Sequence, residues 1–75
     1  MRLTLLQRDD CPLCDLAYSV LAAAGVADFD PVWIDGDAGL EASYGTRIPV
    51  LRREDCSAEL DWPFDADAVR RFLAT

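Results

Sequence analysis

The sequence predicts an α/β fold, and three observations predict it. The apolar run Leu3-Thr4-Leu5-Leu6 is followed by apolar residues at helical spacing and then by a second β-type run, which together make a βαβ unit. Cys11-Pro12-Leu13-Cys14 sits where the first run ends and the helical segment begins. Two more short runs, joined by a polar stretch, then lead into a final amphipathic segment.

The elements follow in order. Arg2 to Gln7 reads as a strand apolar enough to be central in a sheet. Pro12 suits a first helical position, because its φ is already helical and its missing N–H would have been unpaired there. Leu13, Leu16, Ala17, Val20, Leu21 and Ala24 then form one wide apolar stripe, and Gly25 ends the helix. Phe29 to Ile34 is a second strand, placed at an edge by Pro31 and parallel to the first through a right-handed crossover. Asp35-Gly36-Asp37 is a turn, and Ala38 to Tyr44 is a short helix capped by Asp37 and stopped by Gly45. Val50 to Arg52 and Ala58 to Trp62 are strands joined by a polar hairpin connection that contains Cys56. Asp65 caps a last helix whose buried stripe is Val69, Phe72 and Leu73. Trp33 is expected in sheet packing, with Trp62 and Phe64 as core cover and a helix staple.

A chain of 75 residues holds one domain, 1–75, with a small core. Its hydrophobic fraction of 52% is that of a globular protein. A net charge of −7 argues against nucleic acid and against anionic membrane surfaces, and it favours partners with basic rims. Every basic residue is Arg, and there is no His, which removes imidazole bases and most zinc sites. No signal peptide is read, and the apolar stretch from Val20 to Ala27 is too short to span a membrane. The expected setting is the cytoplasm, where a C-x-x-C pair reads as redox or metal chemistry rather than as a structural disulfide.

The cysteine pair carries that chemistry. Cys11 falls at the helix N-cap, where its sulfur faces the free N–H groups of Leu13 and Cys14. Those donors and the helix dipole favour thiolate. Cys14, three residues on, lies about one turn away, close enough to bridge. Asp9 and Asp10 oppose the thiolate and Arg8 favours it, so the sequence leaves the balance at Cys11 open. A zinc site would need Cys56 and a carboxylate as well, which makes a metal site the lesser reading. Cys56 itself reads as a spare thiol ahead of a regulatory one.

With these residues in place, the chain resembles the thioredoxin fold in its small, glutaredoxin-like form. Two motifs carry the resemblance: Cys11-Pro12-Leu13-Cys14 after strand one, and Gly45-Thr46-Arg47-Ile48-Pro49-Val50-Leu51 before strand three. The resemblance implies a four-stranded mixed sheet, order 2-1-3-4, with helices on both faces. It implies a thiol–disulfide oxidoreductase in which Cys11 attacks, Cys14 resolves, and a cis Ile48–Pro49 bond lies against the site beside Pro12 and Leu13. Arg8 stands where glutaredoxins usually carry Lys and is a candidate to hold a glutathione carboxylate. Arg47 is read equally as a surface residue and as an anion contact, and Asp65 matches the family's acidic residue at the last helix.

The sequence also departs from that pattern. Leu13 replaces the usual Tyr, and Trp62-Pro63 stands where a glycine pair normally helps to bind glutathione. The expectation is a monomer acting on protein or small-molecule disulfides. No cofactor is expected, and glutathione is a candidate co-substrate that this chain handles worse than a typical glutaredoxin. The rival readings are a redox-sensing or protein-binding module of the same fold and, behind it, a metal or cluster carrier.

Overall fold

The computed structural model describes residues 2–75. Along the chain run β1 (Leu3–Gln7), α1 (Pro12–Ala23), β2 (Asp30–Trp33), α2 (Ala38–Tyr44), β3 (Val50–Arg53), β4 (Glu59–Asp61) and α3 (Ala66–Ala74). The strands form one sheet in the order β2-β1-β3-β4, as the resemblance implies. β1 pairs parallel with β2, from Thr4 opposite Asp30 to Gln7 opposite Trp33. It pairs antiparallel with β3, from Leu3 opposite Arg53 to Leu6 opposite Val50. β3 and β4 form the antiparallel hairpin. Pro31 lies on the edge strand, where a missing N–H costs no ladder bond on the open side.

Strand alternation sorts the core into two layers. Leu3, Leu5 and Leu51 face α1 and α3, where they pack with Ala17, Leu21, Phe64 and Val69. Leu6 and Val50 point the other way and pack with Ile34 and Tyr44 under α2. The helices therefore cover both faces, and α1 starts directly beyond the end of the central strand.

The structure corrects three expectations about packing and length. α1 rests on the sheet through Cys14, Ala17 and Leu21, while Leu13 and Leu16 are 46% and 53% exposed. One side of a helix is covered by one sheet, so the apolar stripe read from the sequence was wider than the surface available to bury it. Trp33 is 50% exposed. It follows Gln7 in register at the end of the edge strand, where no further strand lies outside it. β2 and β4 are also shorter than the β-type runs that encode them, since Phe29, Ile34, Ala58 and Trp62 lie outside the ladders.

Polar side chains close the helix ends. Asp37 accepts from the Leu40 N–H at 3.0 Å and Asp65 from the Ala68 N–H at 2.7 Å. Gly25, at φ 81°, takes the left-handed conformation after α1, and Arg70 donates to the Ala23 carbonyl there at 2.9 Å. Arg53 is buried; it donates to the Phe72 carbonyl at 3.1 Å and to the Thr75 carbonyl, which ties β3 to the last turn of α3.

Candidate functional site

The site lies at the C-terminal end of β1. The chain leaves Gln7, turns through Asp10 at φ 53°, and enters α1 with Cys11 as its N-cap. Cys11 has extended backbone angles, φ −119° and ψ 106°, which leave its side chain over the first turn. There its Sγ accepts from the Cys14 N–H at 3.2 Å. The cap is thus a sulfur doing what a serine or aspartate oxygen usually does. Pro12 occupies the first helical position.

The two cysteines have different surroundings. Cys11 is half-buried, and Cys14 is buried at 2% exposure. Burial pushes the Cys14 thiol up to about 11, the neighbouring Cys11 adds to the shift, and the Arg8 backbone amide pulls the other way. Cys14 is therefore a thiol at neutral pH and sits beneath the more accessible sulfur. Cys56 is exposed in the β3–β4 connection. Among the described residues, no group of three or more cysteine or carboxylate side chains is placed to hold a metal ion.

The second motif meets the first through sheet register. Val50 lies opposite Leu6, which sets Pro49 at the level of Gln7, next to the turn into Cys11. The Ile48–Pro49 peptide bond is cis, and so is Trp62–Pro63. Pro49 is fully buried, and its carbonyl accepts from the Trp62 N–H at 3.1 Å. The Ile48 N–H is held by the Tyr44 carbonyl at 3.2 Å.

The charged candidates are engaged inside the chain. Arg8 meets Glu41 of α2 in a two-pronged ion pair, at 2.8 and 2.6 Å, and reaches the Gly45 carbonyl at 3.4 Å. This hydrogen-bonded guanidinium holds Glu41 below the usual carboxylate range. Arg47 lies over the Tyr44 ring, 5.0 Å from its centre. It donates to Glu59 at 2.6 Å and to both oxygens of Asp61 at 2.8 and 3.1 Å, so it belongs to the β4 edge. Tyr44 donates to Glu59 in turn, and Arg52 donates to the Tyr44 hydroxyl at 3.0 Å. Asp65 is spent on its helix cap. Arg8, Cys11, Pro12, Leu13, Cys14, Ile48 and Pro49 thus gather at one end of the sheet; Arg47 pairs at the same end with Asp61, opposite Val50, and Asp65, four residues past Asp61, bonds the Ala68 N–H.

Sequence reasoning missed the partners that engage these arginines. Glu41, Glu59 and Asp61 carried no signal, because an ion pair between residues 33 positions apart leaves no local pattern. It also missed the buried Gln7, whose side chain bonds the Tyr18 hydroxyl at 2.8 Å beside the site. A polar residue closing a strand of leucines was the one cue to it. A cavity of about 230 Å³, lined by Arg2, Leu3, Asp28, Phe29 and Asp30, lies at the opposite end of β1 and takes no part in this arrangement. No described helix is long and apolar enough to cross a membrane.

Known proteins share this framework. The model of the glutaredoxin-like domain (DUF836) matches residues 2–74. The crystal structure of the structural-genomics target XcR50 from X. campestris is 56% identical, with a TM-score of 0.91 over 96% of this chain and 95% of that one. The solution structure of XcR50 gives 55% identity and a TM-score of 0.90 over 99% and 94%. The solution structure of Ne2328 from Nitrosomonas europaea is 25% identical, with a TM-score of 0.79 over 95% and 88%. No curated protein matches the chain.

Proposed function

The chain belongs to the glutaredoxin-like domain family and is a redox-related module of the thioredoxin fold, and on that premise we propose that it is a thiol–disulfide oxidoreductase. The observation that carries the reading is the unequal dithiol. A half-buried sulfur accepts an N–H at a helix N-terminus, and a buried thiol held near 11 lies one turn below it.

The chemistry balances on these two sulfurs. Cys11, as thiolate, attacks one sulfur of a substrate disulfide; a Cys11–substrate bond forms, the substrate S–S bond breaks, and the other half leaves as a thiolate that takes up a proton. Cys14 then loses its proton and attacks Cys11 Sγ. The second substrate half leaves as a thiol and the Cys11–Cys14 disulfide remains. The substrate gains two electrons and the dithiol loses two. A thiol reductant, glutathione or a reductase dithiol, restores the pair.

Geometry supports the assignment of roles. The Cys14 N–H hydrogen bond stabilises negative charge on Cys11 Sγ in the attacking thiolate. The raised Cys14 keeps the resolving group protonated until an S–S bond draws it in, which gives the first adduct time to form. Pro49, buried beside the end of β1, and Leu13, exposed on the first turn, are proposed to border the substrate. Arg8, Ile48 and Pro12 complete that border. Arg47 and Asp65 are not included in this proposed border, since their side chains already bond Glu59 and the Ala68 N–H.

The test is turnover of a peptide disulfide with a dithiol reductant in excess. Reduction faster than the reductant alone, lost in Cys11→Ser, supports the reading. A protein no faster than the reductant alone is a sensor or binding module instead.

A further inference from the structure

We propose that Glu41 selects the substrates of this site: by occupying the Arg8 guanidinium it leaves the dithiol with an acidic rim, so the site takes disulfides carried on cationic polypeptides and turns away small anionic ones. The proposal rests on the thiol–disulfide reading above and specifies its substrate class.

Arg8 is the cation nearest Cys11 in the chain, three residues before it. An arginine fork facing outward there would receive a substrate carboxylate. Here the fork already faces Glu41 on two bonds, and the lowered Glu41 keeps that pair charged at neutral pH. An incoming carboxylate would have to displace one that is held within the chain. The next candidate cation, Arg47, is filled in the same way by Glu59 and Asp61.

The remaining charges at this end are negative. Asp9 and Asp10 immediately precede Cys11, Asp15 lies in the first turn of α1, and Asp35 accepts from the Asp9 N–H at 2.9 Å. Among the described residues, none of these four forms an ion pair. The resulting field draws a cationic chain toward the sulfur and slows an anionic one. Exposed Leu13 and Leu16 on α1, with Trp33 at the end of β2, give the aliphatic parts of such a chain an apolar surface.

The experiment measures mixed-disulfide formation on Cys14→Ser protein with two peptide disulfides, one flanked by lysines and arginines, the other by aspartates and glutamates. At low ionic strength the cationic peptide is expected to react about tenfold faster, and added salt to close the gap. Glu41→Gln, and Glu41→Ala as a second variant, should speed the anionic peptide several-fold by freeing Arg8, and Arg8→Met in the same chain should cancel that gain. Damage to the fold would slow both peptides, so a gain confined to one reads charge alone. Equal rates in the parent protein, or no gain on freeing Arg8, would overturn the proposal. Equilibrium binding of the same peptides, reduced and S-methylated, to a Cys11→Ser/Cys14→Ser protein separates the two claims. Cationic preference in binding without any exchange sinks the redox reading and leaves the role of Glu41 standing. Exchange without preference does the reverse, and absence of both removes both.

Discussion

Cys14 is the residue whose surroundings order the chemistry. Held near 11 by burial, it stays protonated where Cys11 is accessible, so alkylation at neutral pH is expected to label Cys11 well before Cys14. Peptide mapping after short exposure checks this, and equal labelling would contradict it. The same shift has a consequence for stability. Between the ordinary value of 9.0 and about 11, the unfolded chain has lost the thiol proton and the folded chain keeps it. The native state then binds more protons, so this contribution to stability is present below that window and is lost as pH rises through it. Urea unfolding under reducing conditions should show the advantage of the parent over Cys14→Ala shrinking across the window. A constant difference would mean that Cys14 is not titrating there. At this scale the sequence was legible where chemistry is local: the cysteine spacing, Pro12 and the Asp37 and Asp65 caps are all read within four residues. It was not legible at Arg8 and Arg47, whose partners come from α2 and β4 and are brought in only by folding.

At the scale of elements, the β1–α1 junction places the dithiol, and the core holds that junction in place. Leu5 and Leu21 are fully buried on the α1 and α3 face. Leu21→Ala is expected to cost about 2–5 kcal/mol, a large share of what a domain this small has. Asp65→Ala removes only a cap and should cost about 1 kcal/mol. Denaturant midpoints for the two variants give the contrast, and comparable losses would show that α3 does more to hold the sheet than its cap implies. The elements themselves were readable from period and punctuation, since all seven were expected near where they lie. Helix burial was not. Leu13 and Leu16 fit an apolar stripe by spacing, yet spacing says nothing of how wide a sheet lies underneath. The edge strand misled in the same way at Trp33, because a β-type residue packs only where a neighbouring layer reaches it.

For the whole molecule, fourteen acidic residues face seven arginines, and among the described residues six of the arginines are used in ion pairs. The carboxylates left over repel one another and concentrate at the dithiol end. Added sodium chloride should therefore raise the urea midpoint by screening that repulsion. A fall would show that the paired arginines dominate stability instead. The sign of the net charge was plain in the composition, and Asp9, Asp10 and Asp15 stand beside Cys11 in the sequence, whereas Asp35 joins them and Glu41 pairs with Arg8 only on folding. The central claim, that Cys11 attacks and Cys14 resolves, is tested most directly by trapping. Cys14→Ser protein is mixed with a peptide disulfide and mapped by mass spectrometry. The expected result is a stable adduct on Cys11, while the parent protein under the same conditions ends with a Cys11–Cys14 disulfide and free peptide thiols. An adduct on Cys56, or none in either protein, would contradict it.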